Sequence, residues 1–310
     1  MKLLTYIGCC ITLLSSCTHK AWLFTSFNEP ADAGLRMLYS HNGLRWADMD
    51  TILLRPAVGI QKVLRDPSMV QGPDGTFHLV WTSSWRGDKG FGYAASKDLV
   101  HWSQQKLIPV MEHEPTTVNV WAPELFYDED GKQFIIIWAS CIPGRFERGI
   151  EADSNNHRMY YTTTTDFVHF TKASIFYDPG FSVIDGVIVK RAAKDYVLVV
   201  KDNTRPARNL HVAFSNSPFG PWSQQSQPFT AQLTEGPAVL RKNSREWLIY
   251  YDDYGKKRYD AKQTLSFRSF KDAARKISIP KGHKHGTIVP LTKHRLAQVL
   301  KAYSQKDTLK

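Results

Sequence analysis

The feature that most constrains this chain is an internal repeat. Short apolar or aromatic runs ending in a small or polar residue recur at residues 22–26, 77–83, 134–140, 196–202 and 247–252. Aligned, they put Phe24, Trp81, Trp138, Val200 and Tyr251 in register at intervals of 57, 57, 62 and 51 residues. A second strand follows four of them, carrying a Ser or Thr and then an aromatic: Ser40 to Trp46, Ser96 to Trp102, Thr162 to Phe170 and Ser215 to Trp222. The fifth copy, around 265–269, is degraded. In front of the runs stand short heads beginning at Asp66, Ala122, Asp185, Glu235 and His285, spaced 56, 63, 50 and 50 residues apart. About five four-stranded units of this length predict an all-β, five-bladed β-propeller, because each blade buries its faces only against its neighbours.

The two ends are complementary. Residues 22–50 supply the later strands of a unit with no head, and residues 285–291 supply a head with no remainder. A solenoid would end in two caps, so the complementarity predicts a fifth blade closed by N-terminal strands plus a C-terminal inner strand. Nine Trp and thirteen Tyr agree with a strand-rich fold. No Pro/Gly/Ser-rich linker divides the chain, so one propeller domain is expected over 22–303, with a short tail at 304–310.

The N-terminus has Lys2 followed by an apolar run to Leu14, too short for a permanent membrane span. It reads as an export signal over 1–16. Leu14, Ser15, Ser16 and Cys17 resemble the lipobox of bacterial lipoproteins, which implies lipidation of Cys17, a tether at 17–21 and a membrane anchor. The absence of Asp at Thr18 and His19 favours an outer membrane, with the cell surface and the periplasmic face both open. Cleavage there removes Cys9 and Cys10 and leaves Cys141 as the sole unmodified thiol, so no intramolecular disulfide framework is expected. Residues 241–310 hold 18 Lys/Arg against 6 Asp/Glu, whereas residues 1–240 hold 22 against 23. This basic quarter suits an acidic polysaccharide or anionic headgroups, or is a solvated face; export argues against nucleic acid.

Inner strands of a propeller line its channel, so the five heads should converge. Asp and Glu are depleted from strands and raise each other's pKa when crowded, which marks Asp66, Asp185 and Glu235 as chemical rather than structural. Two carboxyl groups across a narrow pocket, one protonated and one ionised, are the working parts of glycoside hydrolysis. Trp121 and Trp85 would offer flat faces for a sugar ring. Lys201, Asp202 and Asp252 end their strands toward the same face, as sugar contacts or as turn caps.

In their order on the blades, Arg65-Asp66-Pro67, Trp121-Ala122-Pro123-Glu124, Ile184-Asp185-Gly186, Glu235-Gly236-Pro237 and His285-Gly286-Thr287 resemble glycoside hydrolase family 43. The resemblance implies Asp66 as general base, Glu235 as general acid and Asp185 as the carboxylate that raises the acid's pKa. It implies inversion, no required cofactor and, in some members, a water, calcium or sodium held at the axial His285. Implied substrates are α-L-arabinofuranosides, then β-xylosides or galactosyl and galactofuranosyl groups, on plant-type oligo- or polysaccharide. Ala122 stands where many relatives have Asp, which makes Glu124 a substrate-binding candidate. Fructan-cleaving propellers also carry an RDP tripeptide, but their nucleophile and Glu-Cys motifs are not present. A noncatalytic glycan-binding lipoprotein on the same scaffold is the alternative of another class.

Overall fold

The structure is a computed structural model that describes residues 20–147 and 149–307. The export signal, Cys17 and most of the tether lie outside the described residues. The chain enters as β1 (Lys20–Ser26), β2 (Arg36–Ser40) and β3 (Ala47–Asp48). Blade 1 follows as β4 (Arg65–Gln71), β5 (Phe77–Thr82), β6 (Phe91–Ser96) and β7 (Lys106–Ile108). Blade 2 is β8 (Trp121–Asp128), β9 (Gln133–Cys141), β10 (His157–Thr164) and β11 (Ser174–Tyr177). Blade 3 is β12 (Val183–Ala192), β13 (Asp195–Asp202) and β14 (Asn209–Ser215); blade 4 is β15 (Thr234–Arg241), β16 (Trp247–Asp253), β17 (Arg258–Thr264) and β18 (Lys271–Asp272).

Last comes β19 (Ile288–Thr292), which pairs antiparallel with β1 from Phe24 opposite Ile288 to Lys20 opposite Thr292. The fold is the expected five-bladed propeller, and its fifth blade is a sheet ordered β19-β1-β2-β3 from both ends of the chain. Blade 3 has no outermost ladder strand, but the amides of Ser223, Ser226 and Phe229 donate to the carbonyls of Phe214, Val212 and Leu210 and take its place.

The repeated runs are apolar at nearly every position because both faces of each sheet are buried. Successive residues serve opposite neighbours. Trp81 and Leu79 pack toward blade 5 with Leu23 and Met37, while Val80 packs toward blade 2 with Phe134 and Trp138. Ile137 meets Leu198 and Val200, Val197 and Val199 meet Trp247 and Ile249, and Tyr250 meets Phe24. Thus one apolar layer fills each of the five blade interfaces.

One turn recurs in four blades. The amides of Gly43, Leu99, Phe167 and Phe267 donate to the hydroxyls of Ser40, Ser96, Thr164 and Thr264 at 2.9, 2.8, 2.9 and 2.8 Å. Each amide belongs to a residue of positive φ. The blade-4 copy that looked degraded is therefore intact, anchored on Thr264 rather than on residues 265–269, and the blade-2 anchor is Thr164 rather than Thr162.

Past the last strand the chain is helical as far as Asp307, so the expected boundary between 303 and 304 falls within one helix. This helix is α1 (Lys293–Asp307), whose Leu296, Val299 and Tyr303 are buried in the layer between blades 5 and 1. The Tyr303 hydroxyl donates to the Leu99 carbonyl at 2.8 Å. Helix and strand together fasten the end of the chain across the closure. Replacing fully buried Leu296 by Ala should cost about 2–5 kcal/mol in urea unfolding. A loss below about 1 kcal/mol would show that α1 is not part of the core.

Candidate active site

In blades 1 to 4 the inner strand slips register where its head begins: between Arg65 and Ser68, Trp121 and Glu124, Ile184 and Val187, and Glu235 and Ala238. At each slip one residue takes a left-handed backbone, with φ of 48° at Asp66, 46° at Ala122, 55° at Asp185 and 58° at Gly236. A bulge of this kind re-aims side chains, and a non-glycine residue there costs about 1–2 kcal/mol. The residues equivalent by structure are thus Asp66, Ala122, Asp185 and Gly236. Glu235 stands one place earlier, with Arg65, Trp121 and Ile184, and His285 lies three residues before its strand. The equivalence of five heads is corrected, yet the side chains still converge.

They meet in a cavity of about 90 Å³ at one mouth of the channel, lined by Asp66, Asp185, Glu235, Asp252, Lys284 and His285 together with Phe27, Glu29, Arg65, Trp85, Trp121 and Ile184. Asp66 accepts a hydrogen bond from Thr82 Oγ1 at 2.9 Å, and its other oxygen lies 3.5 Å from His285 Nδ1. Asp185 accepts from the Gly236 amide at 3.0 Å. Glu235 accepts from Lys201 Nζ at 2.7 Å, with its own side chain 37% exposed. Asp252 accepts from Lys284 Nζ at 2.6 Å.

The electrostatics separate the carboxyls. Burial works to raise Asp66, but the hydrogen bond and charge of His285, the charge of Arg65 and the Thr82 hydroxyl bring it below its ordinary 3.8. Burial raises Asp185, and the neighbouring Glu235 and Asp66 charges add to it against the opposing pull of His285 and Lys201. Asp252 is also raised, chiefly by burial. Burial would lower His285, yet Asp66, Asp185 and Glu124 outweigh it and push it up to about 9, so the ring is an imidazolium at neutral pH.

The aromatic wall is continuous. The Trp85 and Trp121 rings lie 4.5 Å apart, Trp121 Nε1 donates to the Trp85 carbonyl at 2.8 Å, and Arg65 sits over Trp85 and Phe27 at 4.8 and 4.9 Å. Trp85 remains 46% exposed. Other candidates fall elsewhere. Lys201 is buried beneath the cavity and engaged by Glu235 rather than free to meet a sugar. Asp202 caps its turn, accepting from the Thr204 amide and hydroxyl at 2.8 and 2.6 Å, and does not line the cavity. Glu124 faces the opposite mouth, accepting from Thr287 Oγ1 at 3.0 Å.

Sequence reasoning missed Phe27, Glu29 and Lys284 as cavity residues. Only Lys284, directly before the His285 head, had a positional signal. Among the described residues no three His, Cys, Asp or Glu side chains converge as ligands, and His285 is held as a cation toward Asp66. As they stand, these side chains do not make up a metal-ligand set.

Residues 18–297 match the model of a family 43-related glycosyl hydrolase group, described as a probable glycosyl hydrolase domain. The chain belongs to this glycosyl hydrolase family. An α-L-arabinofuranosidase of Bifidobacterium longum subsp. longum is 24% identical over 218 residues, covering 67% of this chain but 18% of that protein, so the chain spans about a fifth of its relative's length. An α-L-arabinofuranosidase structure from Clostridium thermocellum has a TM-score of 0.56 at 14% identity, over 88% of this chain and 91% of the other. An exo-β-1,3-galactanase from Phanerochaete chrysosporium has a TM-score of 0.51 at 13% identity, over 67% and 49%. At these identities the structures speak for a shared fold.

Glu124 gives the family member a testable pH signature. Burial pushes its carboxyl from 4.5 up to about 7, so the folded state favours the neutral acid. That contribution is present below pH 4.5 and is lost as pH rises through 7, by about 3 kcal/mol in full. Glu124→Gln should therefore melt like wild type near pH 4 and above it at pH 8. An equal difference at both pH values would overturn the assignment.

Proposed function

We propose that this glycosidase releases terminal pentosyl groups, α-L-arabinofuranosyl foremost, from plant-type polysaccharide with inversion at the anomeric carbon. The observation that carries the proposal is the convergence of Asp66, Asp185 and Glu235, from three blades, on one small cavity beside an aromatic wall. Asp66 is the general base: its lowered pKa keeps it ionised, and His285 and Thr82 orient it to take a proton from water. Glu235 is the general acid. Its half-exposed carboxyl reaches the mouth, where the glycosidic oxygen of a chain entering from solvent would lie. Asp185 binds the Gly236 amide beside it, so it holds the acid's backbone and places next to it a carboxyl whose pKa burial raises.

Attack by water on one face and protonation on the other break the bond between the anomeric carbon and the leaving oxygen, which inverts the centre. Cavity size supports exo action on a single terminal sugar. Export on a lipid at Cys17, with the enzyme held at an outer membrane, would place it where such polysaccharide arrives. The arabinofuranosidase relative favours arabinose; xylosyl and galactosyl groups are the alternatives on this scaffold.

Aryl furanosides and pyranosides tested as a panel, with NMR reading of the first product anomer, check the proposal. Hydrolysis of α-L-arabinofuranosides with release of the β-anomer is expected, and retention of configuration would sink it. Asp66→Asn should lose about 10²–10⁴ in kcat on every substrate. Glu235→Gln should lose as much on arabino-oligosaccharides but far less on 4-nitrophenyl glycosides, whose leaving group needs no proton. Equal losses on both would remove Glu235 as the acid. The acid limb of kcat/KM, set by Asp66, should fall below pH 3.8.

A further inference from the structure

A second cleft, of about 980 Å³, opens between blades 4 and 5. One wall is the turn from β16 to β17, and the other is the segment 274–284 that leads into the last head. Its charge is one-sided: Lys257, Arg258, Arg275, Lys281 and Lys284 line it against a single carboxylate, Asp252. Lys284 is committed to Asp252 at 2.6 Å, and Arg258 reaches Asp260 at 3.5 Å. Among the described residues, the side chains of Lys257, Arg275 and Lys281 have no hydrogen bond or ion pair, and all three are exposed.

The wall is built into the fold. Ser278 accepts from the Trp46 amide and donates to the Leu44 carbonyl, both at 2.9 Å, and the Lys284 amide donates to the Phe27 carbonyl at 2.9 Å. Asp252 and Lys284 line both this cleft and the catalytic cavity. A chain with its end in the cavity has its next residues at the cleft, across one ion pair.

We propose that this cleft holds an anionic sugar residue of the glycan being cleaved, so that the substrate class is an acidic polysaccharide. The proposal rests on the glycosidase reading of the cavity. Concave, like-signed walls concentrate counter-charge. Arg258 and Arg275 bring planar forks that match a carboxylate or sulfate, and Lys257 and Lys281 bring point charges. Tyr254 and Tyr259 in the same cleft supply ring surface for the sugar itself. The excess of cations in residues 241–310 is thus concentrated partly beside the reaction site.

The test uses the Glu235→Gln protein, which holds substrate without turnover, and calorimetric titration with tetragalacturonate, a sulfated galactose tetramer and the carboxyl-reduced, neutral tetramer, each capped with a terminal α-L-arabinofuranosyl group. Three screened ion pairs predict about tenfold tighter binding of an acidic tetramer than of the neutral one at low salt. The gap should shrink at about 0.5 M salt, where charges beyond a few ångströms no longer interact. It should vanish when Lys257→Glu, Arg275→Glu and Lys281→Glu are combined, with melting as the folding check. If that protein does not fold, the neutral set Lys257→Gln, Arg275→Gln and Lys281→Gln should at least halve the gap on a logarithmic scale. Whichever acidic tetramer binds tighter names the acid.

Equal affinity for acidic and neutral tetramers, or a preference that survives these substitutions, would overturn the proposal. So would salt-sensitive binding to phosphatidylglycerol vesicles without discrimination among tetramers, which would make the cleft a membrane contact. Failure of the wild-type protein to cleave any aryl glycoside would fell the glycosidase reading alone, because the titrations do not depend on turnover.

Discussion

The site depends on compensation of crowded negative charge at the channel axis. Asp66, Asp185 and Glu124 are buried together, and ionised carboxylates in such a place are costly unless paired. His285 is the shared counter-ion, 3.5 Å from Asp66 and raised by all three. It comes from the end of the chain, just ahead of the strand that closes the ring against β1. Thr287, two residues on, donates from its amide to Thr25 Oγ1 at 2.8 Å and from its hydroxyl to Glu124. Closing the propeller and neutralising the site are one structural event, and an open ring would leave Asp66 buried without its cation.

The repeat was legible because burial on both faces writes an almost unbroken apolar run into every second strand. What it hid was register. The bulge recurs in all four inner strands and keeps Asp66, Ala122 and Asp185 equivalent, but in blade 4 the acid stands one place earlier, so the counterpart of Asp66 there is Gly236 and not Glu235. Spacing carries no mark of a bulge. In blade 4 the aromatic six residues after the turn hydroxyl is Phe270, the same interval that separates Ser96 from Trp102, but the basic residues around Thr264 masked it. Helix α1 does carry a signal: Leu296, Val299, Leu300 and Tyr303 stand at the i, i+3, i+4, i+7 spacing of an amphipathic helix, which a reading tuned to strand repeats passes over.

Lys201 and Lys284 show where sequence logic about charged strand ends stops. Both were at the correct face or next to a head, yet their ammonium groups are spent on Glu235 and Asp252. A lysine among acids is first a counter-ion, and whether it also meets substrate is decided by how much of it remains exposed. Lys201 is buried, whereas Lys284 lines two openings at once. Asp202, equally well placed along the strand, turned to its own backbone because Thr204 offers an amide and a hydroxyl two residues away.

The channel is also electrostatically asymmetric from one mouth to the other. At the catalytic mouth the carboxyl that gains most from His285 is held ionised, and toward the other mouth Glu124 stays neutral to about pH 7 because burial outweighs the same imidazolium. One cation thus sustains two protonation states on two sides, and geometry decides which. Asp66 has the imidazole, Thr82 and nearby Arg65, whereas Glu124 has hydroxyls from Ser68 and Thr287 and only the distant charge of His285. Hydroxyl donors can also accept, so they tolerate a protonated carboxyl; a cation cannot. The arrangement gives the propeller an ionised base where water and sugar meet and keeps the floor beneath it free of a second uncompensated charge.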